Sequence, residues 1–340
     1  MCIRDRHEGD DPGPALDEAL RARDPAAAET QERDDREGDR GLERGEEQQA
    51  VEEVRHGARS ILAPMRTNRP LPAHFARSVS ALLLLAAAAG CRTSGDTGSD
   101  HRVYDRDGRA VAFDAMLDDL AEADVVFLGE EHDNDVGHRL QLETVVGLAE
   151  RRGDVIVTLE QFESDVQTPL DLYLAGAIDE PTFLAESRPW GNYAENYRAI
   201  IEFARAEGFQ VVAANVPRPL ARVVAYEGLD AVDGRSWIPW STWTDEPAYA
   251  ERFAGAMGRT HMADDDLALQ RWFTAQCVKD DRMAESIALA WRRARTRGER
   301  PIVVHLCGRF HSDYGLGTVS RLKRRQPTLD VRVGGLESGG

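Results

Sequence analysis

Residues 125–134 read VVFLGEEHDN, in which four apolar residues are followed directly by a glycine and five polar side chains. The apolar run is typical of a short strand buried in a parallel sheet. Gly129 permits backbone conformations that other residues resist, so the polar side chains can turn back over the sheet edge. Ligands of open α/β sheets gather at this end of the strands. The stretch therefore predicts a functional site containing Glu130 and His132, with His138 six residues beyond His132.

The chain from Tyr104 onward alternates short apolar runs with amphipathic stretches. Further apolar runs predict strands at 155–159, 211–214, 302–306 and, partly exposed, 329–333. Helical patterns lie between the strands, at 110–121, 136–151 and 197–207, the last of them ended by Gly208. Strands separated by helices favour a parallel sheet with right-handed crossovers.

Residues 235–300 break this rhythm. Three tryptophans at 237, 240 and 243 indicate a loop, and helices are predicted near 247–257, 264–279 and 280–297. This block is interpreted as a helical insertion or cap on the sheet. The predicted fold class is α/β, with a parallel-rich central sheet, flanking helices and a helical insertion at about 235–300.

Polar residues recur where the predicted strands end. Glu160 ends the second strand, Asn215 ends the third and His311 lies just past the fourth. Because the carboxyl ends of parallel strands lie at one edge, these side chains are expected to converge with Glu130 and His132. Carboxylates and imidazoles in one crevice are the ingredients of acid–base chemistry or of a metal site. The predicted metal ligands are Glu130, His132, His138, Glu160 and His311.

Several of these residues also have structural interpretations. One of Glu130 and Glu131 is expected to be a solvated loop carboxylate or a cap for the helix that follows, since both cannot point inward. His138 is expected to face out of the first helical turn, where a surface role and ligation are equally plausible. His305 lies within an apolar strand and is interpreted as a hydrogen-bonded core residue, and His261 as a surface residue.

A second cluster is aromatic and includes Trp190, Tyr193 and Tyr197. The two tyrosines are four residues apart, which puts both on one face of a helix. Stacked aromatic residues suit a flat ligand such as a porphyrin, and tyrosinate is an axial ligand of haem iron. The alternative is that they pack the helix on the sheet.

The N-terminal part of the chain divides by composition. Residues 1–64 hold 10 Lys and Arg against 18 Asp and Glu without apolar periodicity, so they are predicted to be disordered or not part of the natural protein. Residues 65–91 follow the order of a lipoprotein signal peptide, with arginines before an apolar run and Ala-Ala-Gly-Cys at 88–91. Cys91 is the predicted lipidation site, and residues 92–103 form a flexible tether before the folded domain at 104–340.

The net charge and the cysteines limit which partners and which covalent links the protein can have. The net charge of −18 comprises −8 from residues 1–64, +3 from residues 65–91 and −13 from the body. An acidic body argues against a nucleic-acid partner, because phosphate binding relies on Lys and Arg. Cys277 and Cys307 could form a disulfide in an oxidising compartment or remain buried thiols.

The body resembles the ChaN-like family of haem-binding uptake lipoproteins, which is related to the Tiki proteases and the erythromycin esterases. The match covers about residues 103–334. It rests on six segments in order: LGEEHDN at 128–134 with His138, LEQF at 159–162, WGNY at 190–193, NVPR at 215–218, AQ at 275–276 with Asp280 and MA at 283–284, and VHLCGRFH at 304–311.

The resemblance implies a haem-binding protein linked to iron acquisition, with haem held between two subunits of a homodimer. The candidates for the axial ligand are Tyr193, Tyr197 and Tyr314, in that order, and Arg198 would favour the phenolate of Tyr197. The wider set of haem-binding candidates adds His132, His311 and Arg218. Anchoring at Cys91 implies a bacterial cell envelope location, facing the periplasm and favouring the outer membrane.

Two alternatives stay open. The relatives implied by the resemblance include metal-dependent peptidases and esterases, and in a hydrolase Glu130, His132, Glu160 and His311 would hold a divalent metal or activate water directly. No Gly-x-Ser-x-Gly nucleophile motif accompanies them. The other alternative is a site that serves only as a structural polar network.

Overall fold

The computed structural model describes residues 2–5, 101–259, 262 and 266–338. The chain divides into two units, Met1–Ala28 with Ser99–Gly340, and Glu29–Gly98. The second unit lies entirely outside the described residues, as do the predicted signal peptide, Cys91 and most of the predicted tether. His261 also lies outside them.

One eight-stranded sheet organises the described residues, in the order β3-β2-β1-β8-β4-β7-β5-β6. Five neighbouring strands, β8-β4-β7-β5-β6, run parallel to one another, which confirms the predicted α/β class. The strands are β1 (Cys2–Asp5), β2 (His101–Tyr104), β3 (Ala110–Val111), β4 (Val125–Glu130), β5 (Val155–Glu163), β6 (Gln210–Asn215), β7 (Ile302–Gly308) and β8 (Val331–Glu337).

The strand β1 belongs to the tract at 1–64 in which the sequence predicts no folded structure. It pairs parallel with β8 and antiparallel with β2. Backbone hydrogen bonds to a strand on each side hold it, and such bonds do not depend on the apolar periodicity that this tract lacks. The rest of residues 1–64 lies outside the described part of the chain.

Nine α-helices connect the strands within the described ranges. They are α1 (Phe113–Leu120), α2 (Asp135–Arg152), α3 (Gln167–Leu174), α4 (Glu180–Ser187), α5 (Arg198–Glu207), α6 (Arg218–Glu227), α7 (Pro247–Ala256), α8 (Leu267–Thr296) and α9 (Thr318–Arg325). A π-helical turn, Tyr193–Tyr197, precedes α5, and 3₁₀ turns at Arg309–His311 and Asp313–Gly315 follow β7. None of the described helices combines the length and the apolar composition needed to cross a bilayer.

The central strands are buried on both faces, since every residue of β4 and β7 is buried. On one face, Leu140 and Leu148 of α2 pack in a cluster with Val126. On the other face, Ile287 of α8 packs in a cluster with Phe127. Helices on both faces explain why these strands are continuous apolar runs rather than alternating ones.

Residues 264–279 and 280–297 do not form two helices as the sequence predicts. The described residues 267–296 form one 30-residue helix, α8, which contains no glycine or proline. The charged run in its middle stays helical because Asp280 and Asp281 are buried beside hydrogen-bonding partners. The C-terminal half of α8 therefore packs against one face of the sheet. Only the preceding part of residues 235–300 resembles a cap.

Candidate functional site

Polar side chains converge at the carboxyl edge of the sheet, as the sequence predicts. Glu130 is the last residue of β4, and Glu160 lies within β5, which continues three residues past the predicted end. His311 lies in the 3₁₀ turn after β7. These strands are neighbours in the order β4-β7-β5, so the three side chains meet in the middle of the sheet edge.

Glu130 is buried and accepts hydrogen bonds at both carboxylate oxygens. The donors to Oε1 are His132 Nδ1 at 3.0 Å, Gln161 Nε2 at 3.0 Å and the Tyr197 hydroxyl at 2.5 Å, and the donor to Oε2 is Gln141 Nε2 at 2.6 Å. Burial raises the pKa of Glu130, but the hydrogen bond and charge of His132 outweigh it, so the pKa lies below its ordinary value. The carboxylate is thus held ionised in the core.

Glu131 confirms that the two adjacent glutamates do not both point inward. It is partly exposed, accepts a hydrogen bond from Arg309 Nη1 at 3.0 Å and caps the backbone N–H of Ser338 at 2.9 Å. Asn134 is the N-cap residue of α2, since its side chain accepts a hydrogen bond from the Gly137 N–H.

His132 is the part of the cluster that solvent can reach, with 31% of its side chain exposed. Its ring lies 5.1 Å from the Trp190 ring, edge to face, and against the backbone of Gly308. A Cβ at position 308 would lie 2.8 Å from the Cε1 atom of His132, so only glycine allows this approach. Burial lowers the pKa of His132, but the hydrogen bond to Glu130 outweighs it and the pKa is raised.

His138 is buried rather than facing out of the first helical turn, contrary to the prediction. Its Nδ1 lies 3.1 Å from Gln141 Oε1 and its Nε2 lies 3.1 Å from the carbonyl oxygen of His132. Gln141 in turn donates to Glu130. His138 therefore supports the loop that carries His132, because the first turn of α2 lies beneath that loop.

His311 is buried between two carboxylates. Its Nε2 lies 3.2 Å from Glu160 Oε1 and its Nδ1 lies 2.7 Å from Asp280 Oδ1. Burial lowers the pKa of His311, but the charges of Glu160 and Asp280 outweigh this and raise it to about 10. His311 is thus an imidazolium at neutral pH, and the pKa of Glu160 is held well below its ordinary value despite burial, chiefly by the charge of His311.

Asp280 is a member of the cluster that reasoning from residue types and spacing missed. Besides His311 it accepts hydrogen bonds from the Tyr249 hydroxyl at 2.7 Å and from Thr318 Oγ1 at 2.8 Å. In the sequence, Asp280 lies in the middle of α8 and far from any strand end. A charged residue in the middle of a helix is normally solvated. Its place among the segments that carry the family resemblance is the one sequence signal that pointed to it.

The predicted metal ligands do not form a ready coordination site. No group of three or more His, Cys, Asp or Glu side chains in the described parts of the chain is arranged to hold a metal ion. The four donors on Glu130 occupy its oxygens, and both ring nitrogens of His311 are engaged by carboxylates. His311 offers no free lone pair in this arrangement, and Glu130 Oε1 is fully occupied, whereas Glu130 Oε2 accepts a single hydrogen bond.

Tyr193 and Tyr197 are packed inside the protein, with 4% and 1% of their surface exposed. Tyr193 packs edge-to-face against Phe162 and Phe183. Burial raises the pKa of Tyr197, and the charge of Glu130 raises it further, so it remains a neutral phenol. The expectation that Arg198 favours a phenolate at Tyr197 is wrong, because Arg198 forms an exposed ion pair with Glu180.

Tyr314 differs from the other two tyrosines because 69% of its surface is exposed. It lies three residues past His311, in the left-handed region with φ of 58°. The guanidinium carbon of Arg252 lies 5.2 Å from the centre of its ring, and Arg252 also pairs with Asp313 at 2.9 Å. Arg218, another predicted haem contact, is exposed at the first residue of α6, beyond the edge strand β6.

The two remaining predictions concern core residues. His305 is buried in β7 with its Nδ1 2.9 Å from the Thr158 hydroxyl, which confirms its interpretation as a hydrogen-bonded core histidine. Cys277 and Cys307 are both free, buried thiols, so the disulfide alternative is wrong.

Comparison with known proteins places these observations in a family. The family model described as "Haem-binding uptake, Tiki superfamily, ChaN" matches residues 116–322. No curated protein matches the chain. A solved structure of ChaN of Campylobacter jejuni, described as showing cofacial heme binding, has 17% identity and a TM-score of 0.51 over 67% of this chain and 87% of that chain. At this identity the likeness shows a shared fold.

Two further solved structures are more distant. RRSP, a MARTX toxin effector domain from Vibrio vulnificus, has 18% identity and a TM-score of 0.35, covering 66% of this chain and 35% of that chain. An erythromycin esterase mutant, EreC in its open conformation, has 18% identity and a TM-score of 0.29, covering 65% and 62%. Their TM-scores are too low to carry an argument. The family model covers more than half of the chain, and the protein therefore belongs to the ChaN family of the Tiki superfamily, the haem-binding uptake family.

Proposed function

We propose that this protein binds haem and that the phenolate of Tyr314 is the axial ligand of the iron. The observation that carries the proposal is that Tyr314 alone among the three candidate tyrosines has an exposed side chain. A ligand to haem iron must present its oxygen at a surface that the porphyrin can reach, and tyrosinate is an established ligand of this kind. When bound, haem would supply the ferric iron that the phenolate holds.

The surroundings of Tyr314 fit a porphyrin. The Arg252 guanidinium carbon lies 4.6 Å from the ring centre of Phe310 as well as near Tyr314, and Leu316 is partly buried beside the same aromatic cluster. Apolar and aromatic side chains suit the flat face of haem, and an arginine suits its propionates. The buried cluster does not fit haem, because the Tyr197 hydroxyl donates to Glu130 and both ring nitrogens of His311 are engaged by carboxylates.

The histidines are less suitable ligands. His311 is buried with both ring nitrogens engaged, and its raised pKa keeps it protonated. His132 is partly exposed, but its Nδ1 is bound to Glu130 and its ring lies against Gly308. A protonated imidazole has no lone pair for iron.

The test is a hemin titration of the full chain carrying Cys91→Ser, which prevents lipidation. Tyr226→Phe is a matched control, because Tyr226 is 64% exposed and has Arg222 5.8 Å from its ring centre. We expect a saturable, stoichiometric Soret shift in the parent and in Tyr226→Phe, and at least a tenfold weaker affinity in Tyr314→Phe. Equal affinity in Tyr314→Phe would overturn the ligand assignment, and no shift in the parent would overturn haem binding itself.

We also propose that the protein is a bacterial lipoprotein anchored through Cys91, facing the periplasm with the outer membrane favoured, and that it serves haem or iron acquisition. The sequence order of residues 65–91 supports the anchor. Mass spectrometry of the N-terminal peptide after expression in a bacterium should find Cys91 diacylated. A homodimer is proposed from the family resemblance, and the molar mass measured by light scattering at hemin saturation tests it.

A second candidate function is hydrolysis, which the pairing of Glu130 with His132 favours. Glu130 fixes the Nδ1 side of a partly exposed imidazole, while Glu160 and His311 lie beside it. This is an arrangement that can move protons at a bound substrate. If the protein hydrolyses a chromogenic ester, His132→Gln should abolish the activity and Tyr314→Phe should leave it unchanged. The reverse pattern would exclude this cluster as the origin of the activity.

A further inference from the structure

Residues 312–317, hereafter the tyrosine turn, present a single side chain to solvent. Among the described residues 311–319, Tyr314 is the one exposed residue, and its neighbours Ser312 and Asp313 are buried. Tyr314 also has a φ of 58°, in the left-handed region that is unfavourable for an aromatic residue. A backbone in this region persists only where its surroundings hold it, so contacts with the rest of the protein fix the turn.

One buried carboxylate oxygen closes the base of the tyrosine turn. Oδ1 of Asp280 lies 2.7 Å from Nδ1 of His311 and accepts a hydrogen bond from Oγ1 of Thr318 at 2.8 Å. His311 directly precedes the turn and Thr318 directly follows it, and all three residues are buried. Because one atom holds both side chains, the two ends of the turn are kept together against the middle of α8.

Glycine at position 317 lets the two ends approach this closely. A Cβ at Gly317 would lie 2.8 Å from the carbonyl oxygen of His311 and 3.0 Å from Oδ1 of Asp280. Gly317 has a φ of 57°, which glycine adopts readily. The base of the turn is therefore packed without space for another side chain, and Tyr314 is displayed from a closed loop.

The second oxygen of Asp280 is held by a different element. Oδ2 accepts a hydrogen bond from the Tyr249 hydroxyl at 2.7 Å. Tyr249 is buried on α7 and is not part of the tyrosine turn. The carboxylate thus has one oxygen on the turn and one on α7, so the two contacts can be removed separately.

We propose that Asp280 is a positioning residue that holds the Tyr314 hydroxyl where it meets haem iron. The proposal rests on the haem ligation by Tyr314 proposed above. A side chain whose backbone is fixed before binding loses less conformational freedom when the ligand arrives, and the affinity is higher for that reason. In this role the buried carboxylate strengthens haem binding without touching the porphyrin.

Two variants that each lack one hydroxyl test the proposal in the full chain carrying Cys91→Ser. Thr318→Val removes the hydrogen bond on the turn side of Asp280, and Tyr249→Phe is the matched control that removes the bond on the α7 side. In hemin titrations we expect about fivefold weaker affinity in Thr318→Val, the scale of one hydrogen bond, and less than a twofold change in Tyr249→Phe. Thr318→Ser keeps the hydroxyl and should retain the parent affinity.

Hydrogen exchange without hemin measures the positioning itself. The N–H groups of Gly315 and Leu316 donate to carbonyl oxygens within the tyrosine turn, at 3.1 Å each. Both should exchange at least threefold faster in Thr318→Val, and at the parent rate in Tyr249→Phe and Thr318→Ser. Unchanged exchange in β4 shows that the rest of the fold is intact. Thr318→Ala, which removes the hydroxyl without placing a methyl group against Asp280, should behave as Thr318→Val does.

Several results would overturn the proposal. Parent-like hemin affinity or parent-like exchange in Thr318→Val would show that the bond to Asp280 does not hold the turn for haem. An equal loss of affinity in Tyr249→Phe would mean that Asp280 supports the fold in general. A weakened Tyr314→Phe with an unaffected Thr318→Val would reject the positioning alone, whereas Tyr314→Phe that binds hemin as the parent does would also reject the ligand assignment.

Discussion

At Glu130 a single buried carboxylate accepts hydrogen bonds from four side chains, contributed by the loop after β4, α2, β5 and the π-helical turn. A charge without water is tolerated only where such partners replace its hydration. Glu130 therefore links four segments of the chain. Replacing it should lower the stability of the protein more than it changes ligand binding.

Glu130→Gln should lower the free energy of unfolding by about 2–4 kcal/mol, because an amide –NH₂ would face donors that need an acceptor. Urea denaturation of the parent and the variant measures this difference. Glu131→Gln is the matched control, since Glu131 is partly exposed, and it should cost less than about 1 kcal/mol. A loss at Glu130 no larger than the loss at Glu131 would contradict the role given to Glu130.

The raised pKa of His311 predicts how stability depends on pH. The pKa is about 10 in the folded protein and about 6.5 in an unfolded chain. The imidazolium therefore contributes stability that is fully present below about pH 6.5 and is lost as pH rises toward about 10. The difference in unfolding free energy between the parent and His311→Gln should shrink over this interval. A difference that stays constant with pH would show that His311 is not charged in the folded state.

For individual residues, the sequence predicts some of the buried and exposed positions and misses others. That Glu130 and Glu131 do not both point inward, and that His305 lies in the core, follow from strand periodicity and from the end of the strand. Burial of His138 does not, because it depends on how the first turn of α2 lies under the preceding loop. The exposure of Tyr314 could not be predicted from the sequence either, since the 3₁₀ turns after β7 have no periodic pattern.

At the scale of elements, the close approach of β7 to the loop after β4 shapes the site. Gly308 ends β7, donates its N–H to Glu160 at 2.8 Å and supports the ring of His132. A side chain at this position would therefore push apart two strand ends that the polar cluster holds together.

Gly308→Ala should lower the free energy of unfolding by about 1–3 kcal/mol, because its Cβ would lie 2.8 Å from the ring of His132. Thermal or urea unfolding measures the loss. Gly255→Ala provides the control, since a Cβ there meets open space within α7 and should leave stability unchanged or slightly higher. Equal stability of the two variants would mean that the strand ends are not closely packed at Gly308.

The elements themselves divide into predictable and unpredictable ones. The parallel strands β4 to β8 were predicted from their apolar runs, within a few residues at their ends. The continuity of α8 was not, because its charged middle is stabilised by partners such as Arg321 that are distant in sequence. The short strands β2 and β3 also escaped prediction, since edge strands of two to four residues carry little hydrophobic pattern.

At the scale of the whole molecule, the described residues hold two chemically distinct regions near the carboxyl edge of one sheet. A paired, buried polar network lies around Glu130 and His311, and an exposed tyrosine lies on the turn that follows β7. The family resemblance could be stated from sequence motifs, but those motifs map mostly to the buried network. The separation of the two regions is a tertiary property, and it is the reason we propose Tyr314, the last of the three candidate tyrosines, as the ligand.

The resonance Raman spectrum of the hemin-loaded full chain carrying Cys91→Ser tests haem ligation by Tyr314 most directly. Phenolate vibrations enhanced through the iron charge-transfer band are predicted in the parent and in Tyr226→Phe, and they should vanish in Tyr314→Phe. Phenolate vibrations that persist in Tyr314→Phe, or a parent complex that has none, would contradict the account.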